Sequence, residues 1–240
     1  MSTLRALLDT LLPAMARPSR SAAVAMEVWR AALLAWLLMV LVAAIFYVRY
    51  YTAVDYEWMH TLALGQAAAF GKLPPDAEAA MARFLSPAVM APLATAGMAL
   101  QQVLVLVALW SYLRLVSVLA GSRVSSAGCL GAACVALLPT ALDSFCALAA
   151  SFLESMATTS IERLNPLSAD ALVFRLSEQS VWQKPLAALS PTVLWSIAIL
   201  FYWLRDSVRL RAAWAAALAV APFAAVFAVW GLLVVLSSRV

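Results

Sequence analysis

The sequence predicts an all-α, polytopic transmembrane bundle forming a single membrane domain, and three observations carry that expectation. Of the 240 residues, 65% are hydrophobic and only 12% are charged, with a mean hydropathy of +0.93. A soluble domain has roughly 45–50% apolar and about 25% charged residues, and surface-to-volume scaling leaves a soluble fold too little interior for the excess. The apolar residues also gather into five runs, near 31–48, 88–113, 124–142, 186–204 and 212–236. Each is close to the ~20 helical residues that a bilayer core needs. None shows the strand alternation that a closed barrel requires, so the spans are read as helices.

Residues 1–30 precede the first span. Leu4, Leu7, Leu8, Leu11, Leu12 and Met15 recur at helical spacing, with Arg5 and Asp9 on the other face. This predicts an N-terminal amphipathic helix, either lying in the inner-leaflet interface or packed on the cytoplasmic face of the bundle. Pro13 bends or ends it. Asp9 interrupts the apolar run and no cleavage pattern follows, so a cleavable signal peptide is not expected.

The first span runs between Arg30 and Arg49. Tyr47, Tyr50, Tyr51, Tyr56 and Trp58 follow and read as an outer interfacial belt. "VDYEWMH" places Glu57 and His60 at metal-ligand spacing, but His60 is the sole histidine and a di-metal bundle needs that element twice. No metal and no cofactor are expected. "PPDAEAAMARFLSP" carries helix-start chemistry, with prolines followed by Asp76 and Glu78. It predicts a short amphipathic helix in the outer loop.

The second span holds Gln101 and Gln102, whose amides are expected to bond to neighbouring helices. The third holds Gly128 and Gly131 among small residues, which suits close helix approach within the bundle or between protomers. Past Pro139 the one charge before Glu154 is Asp143. Either a continuous or kinked helix leaves the membrane near Asp143 and continues outside to about Leu153, the preferred reading, or the span ends near Leu142 and an interfacial helix follows. Asp143 is the best intramembrane ionisable candidate, yet a helix rise of 1.5 Å per residue carries it to about the far interface. "LSADALVFRLSEQSVW" predicts a second outer amphipathic helix, with Leu172, Val173 and Leu176 on one face. The fourth span lies between Lys184 and Arg205, with Tyr202 and Trp203 as an inner aromatic belt. The fifth carries no charge.

The basic residues set the orientation. Arg5, Arg17, Arg20 and Arg30, then Arg114 and Arg123, then Arg205, Arg209 and Arg211 alternate with loops that hold most of the acids. The positive-inside rule puts the N-terminus in the cytoplasm and, with five spans, the C-terminus in the periplasm. The last arginine cluster also suits anionic lipid headgroups. Arginine outnumbers lysine, present at Lys72 and Lys184 alone, in the manner of a GC-rich bacterial genome. The net charge of +4 is expected to mark topology rather than nucleic-acid binding. Cys129, Cys134 and Cys146 form no CxxC and read as small buried hydrophobes. No phosphate loop, dinucleotide fingerprint or nucleophile motif is present, so no enzyme is expected.

The order of elements resembles the Yip1-domain family, in its bacterial form. The residues that carry the resemblance are Pro18 and Arg20 before the first span, Pro139 late in the third, and Pro191, Trp195 and Ser196 in "LSPTVLWSIAIL", followed by the basic linker "LRDSVRLRAAW". The glycine usual after the tryptophan-serine pair is absent. The resemblance implies a non-enzymatic multi-pass protein of the inner membrane. The expected role is a scaffold or assembly partner in an envelope complex, touching lipid and other membrane proteins or itself. The alternative is a membrane subunit of a transporter or channel, with a polar mid-depth cavity lined by Gln101, Gln102, Ser111 or Asp143.

Overall fold

The computed structural model describes residues 29–68, 86–178 and 180–237. The amphipathic segment 1–30, except for its last two residues, and most of the helix expected over 74–87 lie outside them. Every regular element among the described residues is helical. They are α1 (Trp29–Ala53), α2 (Tyr56–Ala68), α3 (Pro87–Leu119), α4 (Ser126–Leu137), a 3-10 turn (Leu138–Thr140), α5 (Ala141–Leu153), a π-helical turn (Asp170–Phe174), α6 (Gln183–Ala187), α7 (Pro191–Asp206) and α8 (Ala212–Ser237).

Among the described residues, four helical stretches are long and apolar enough to cross a membrane: Trp29–Ala53, Ala88–Leu119, Ser126–Leu153 and Ala212–Leu236. The residues expected as the fourth span form α7, whose 16 residues reach about 24 Å. That is short of a hydrocarbon core of about 30 Å. The helix is cut by Pro191 at its first position and by the basic turn after Asp206.

Pro139 interrupts the α-helical ladder of the third stretch, as its chemistry requires. Proline lacks the amide that would continue the ladder, and the chain answers with a 3-10 turn before α5 begins at Ala141. Helical structure then runs on to Leu153, as the reading of a continuous or kinked helix expects. At the other end Ser125 caps α4, its Oγ accepting from the Gly128 amide at 3.1 Å.

The chain forms two compact units. The first comprises Met1–Leu41, Leu100–Leu142 and Thr192–Ala224. Its core is α4, in which Cys129, Ala132, Ala133, Cys134, Val135 and Ala136 are almost wholly buried. Trp36 and Met39 of α1, Leu109 and Leu113 of α3, Leu200 and Trp203 of α7, and Ala215 and Ala219 of α8 belong to the same cluster. Small side chains on α4 let several helices approach one backbone closely, which is where dispersion gains concentrate in lipid. Tyr112 of α3 adds a hydrogen bond, its hydroxyl donating to the Leu218 carbonyl at 2.7 Å.

The second unit comprises Val42–Ala99, Asp143–Pro191 and Ala225–Val240. Phe46, Tyr50, Val54, Ala147, Met156 and Leu164 form its core. The tyrosines expected as an interfacial belt partly serve this interior. Tyr50 is buried and donates to the Thr159 carbonyl at 3.1 Å. Tyr56 donates to the Tyr51 carbonyl at 2.6 Å. Burial raises the Tyr56 phenol above its ordinary pKa.

Candidate functional site

The polar side chains of the second unit concentrate in the segment between α5 and α7. Asp143 lies in the first turn of α5, where a carboxylate complements the helix dipole. It is half-buried, and its Oδ2 accepts from Ser190 Oγ at 2.9 Å. Ser190 immediately precedes Pro191, so this bond ties the start of α5 to the residue that opens α7. The acid therefore joins two chain segments, a role that its sequence position did not reveal.

Further along, Gln183 is fully buried and its Nε2 donates to Ser160 Oγ at 3.2 Å. The Ser160 amide donates to Glu178 Oε1 at 3.2 Å. Arg163 stands 3.9 Å from that same oxygen and donates to the Leu176 carbonyl at 3.0 Å. Buried Asp170 accepts the Leu176 amide on Oδ1 at 2.8 Å, while its carbonyl accepts the Arg175 amide at 2.6 Å. These bonds close the π-helical turn that replaces the amphipathic helix expected here. Leu172 and Val173 are exposed on it, and Arg175 ends it in the left-handed region at φ 49°. The carboxylates are engaged by backbone amides and a neighbouring guanidinium, which is the chemistry of a folded loop.

Arg49 lies near the C-terminal end of α1. Its Nε and Nη2 donate to the Oγ and carbonyl of Ser151 at 3.0 and 3.1 Å, and its guanidinium lies 3.8 Å from the Phe152 ring centre. Sequence reasoning took Arg49 only as a span boundary. The signal available was a lone arginine between apolar and aromatic residues, which needs a partner where water is scarce.

The expected positions divide clearly. Gly128 and Gly131 are buried, on the helix that forms the core of the first unit. Pro139 is buried in the 3-10 turn, and Ser196 is buried with its hydroxyl donating to the Thr192 carbonyl at 3.0 Å. Pro191 is exposed at the start of α7, and Trp195 is largely exposed. Trp203, expected at an aromatic belt, is almost fully buried. Arg205, Arg209 and Arg211 are exposed, with Arg205 3.6 Å from Asp206. Gln102 is partly covered, whereas Gln101 and Ser111 are exposed on α3. Pro18 and Arg20 lie outside the described residues. Among the described residues, no three His, Cys, Asp or Glu side chains converge to hold a metal ion.

No family model matches the chain, and no curated protein or solved structure matches it.

Proposed function

We propose that this chain is a bacterial inner-membrane protein of the Yip1 type that serves, without enzymatic activity, as a scaffold or assembly partner in an envelope complex. The observation that carries the reading is the filled interior of the first unit, where α4 is packed on small apolar side chains. The polar groups available for a mid-depth path point elsewhere, since Gln101 and Ser111 are exposed on α3. The resemblance itself rests on Pro18, Arg20, Pro139, Pro191, Trp195, Ser196 and the basic linker after α7.

In this reading α7 is the fourth of five crossings, shortened and opened by Pro191, with a cytoplasmic N-terminus and a periplasmic C-terminus. The basic turns support it. Arg114 and Arg123 flank the turn after α3, and Arg205, Arg209 and Arg211 flank the turn after α7. The acids Glu154, Glu162, Asp170 and Glu178 fall in the intervening connection. Basic turns retained on one side require α7 to cross.

Two measurements test the proposal. Alkaline phosphatase fused after Glu154 and at the C-terminus should be active, and fused after Ser207 it should be inactive. An active fusion after Ser207 rejects the five-span topology. Purified gently with its lipids, the chain should co-elute with a stoichiometric membrane protein or with itself. A strictly monomeric chain that retains no partner, or one that conducts solute in proteoliposomes, rejects the scaffold role.

A further inference from the structure

α3 carries two seams of side chains with the same spacing. Leu106, Leu109, Leu113 and Val116, in steps of three and four residues, are buried in the core of the first unit. Gln101, Leu104, Ala108, Ser111, Leu115 and Val118 follow the same alternation of three and four residues, and all are exposed. Leu104, Leu115 and Val118 are 59%, 57% and 56% exposed. Such a repeat keeps one stripe facing a partner helix through a left-handed crossing.

The chemistry of the exposed seam is unusual for a lipid-facing surface. Gln101 falls near the middle of the charge-free stretch Ala88–Leu113, so its amide faces hydrocarbon at about mid-depth. A polar amide there is costly unless another polar group meets it. Ala108 and Ser111 are small enough for a second backbone to approach, and the serine hydroxyl can bond across the contact. α8 provides the contrast within the same molecule. Its exposed side chains Trp214, Val220, Val226, Val229, Leu232 and Leu233 are all apolar, as a surface that meets only lipid requires.

We propose that the Gln101–Val118 seam of α3 is the interface through which two copies of this chain associate in the membrane. Copies inserted with one topology present α3 in parallel about a two-fold axis along the membrane normal. Each layer of a parallel heptad pair then meets its own copy. An amide is both donor and acceptor, so Gln101 satisfies Gln101 of the second copy, and Ser111 does the same. Ala108, between those layers, sets the close approach. This self-complementarity selects a second copy over an unrelated helix. The inference rests on the membrane-spanning reading and gives the scaffold a specific contact.

The test uses the full chain in liposomes. Ala108→Cys should oxidise to a covalent dimer faster than Val107→Cys, an equally deep exposed position off the seam, with the unsubstituted chain reporting the native thiols. Gln101→Leu keeps the surface apolar and should weaken self-association, read by energy transfer on dilution into lipid, by about threefold to tenfold. Equal oxidation of the two cysteine variants, or an unchanged association of Gln101→Leu, overturns the proposal. Alkaline carbonate separates the failures. A chain released from the bilayer overturns the membrane reading together with this one. A chain that stays inserted but shows neither effect overturns the seam alone.

Discussion

α4 and α8 are both uncharged helices of high hydropathy, and they have opposite surroundings. From Gly128 to Leu137 almost every residue of α4 is buried, while most of α8 is exposed. Hydrophobicity does not separate them, because lipid solvates an apolar side chain as well as a protein interior does. Their neighbours do. α4 buries Gly128, Gly131, its alanines and its cysteines together with Val135 and Leu137, whereas the exposed positions of α8 are alanine as often as valine, leucine or tryptophan. Small residues occur in both settings, and large side chains such as Trp36, Leu113 and Trp203 belong to the cluster around α4. The second unit differs again, holding residues 151–160 with hydrogen bonds from Arg49, Tyr50 and Gln183.

The comparison breaks most readily at Ala133, which has no exposed surface. Ala133→Leu adds three heavy atoms where neighbouring helices already touch, and it should cost about 3 kcal/mol or prevent folding. Thermal unfolding in mild detergent measures it, and a loss below about 1 kcal/mol would remove α4 from the packing centre. Arg49→Lys tests the polar closure of the second unit. Lysine keeps the charge but loses the planar pair of bonds to Ser151, for an expected loss of about 1–2 kcal/mol. The smallest effect belongs to α8, where Val229→Ala trims a largely exposed side chain and should stay within about 0.5 kcal/mol. A larger loss would mean that protein covers the position.

The same contrast explains what the amino-acid order reveals. The long apolar runs and the helix interruption at Pro139 are legible because the bilayer fixes length and proline lacks an amide. Which face of each helix turns inward is less legible, since inward and outward residues are equally apolar. Tyr50 and Trp203 illustrate this, as aromatics expected at the water boundary that are buried in the interior. Gln101 shows it in reverse, as an amide expected among neighbouring helices that is exposed. The Asp143–Ser190 bond spans 47 residues, and no local pattern announces it. α7 is misjudged in length because Leu186 to Ala188 are apolar enough to extend a span, but Pro191 restarts the chain.

The turn after α7 carries a consequence of its own. Arg209 adopts φ 64°, a conformation that glycine enters freely and that other residues enter at about 1 kcal/mol or more. Among the described residues the other non-glycine with positive φ, Arg175, is also an arginine. At Arg209 one position both reverses the backbone and carries an exposed positive charge. Conformational ease and charge compete there. Arg209→Gly would relax the turn and, in the proposed five-span topology, weaken the signal that orients the helices on either side of it.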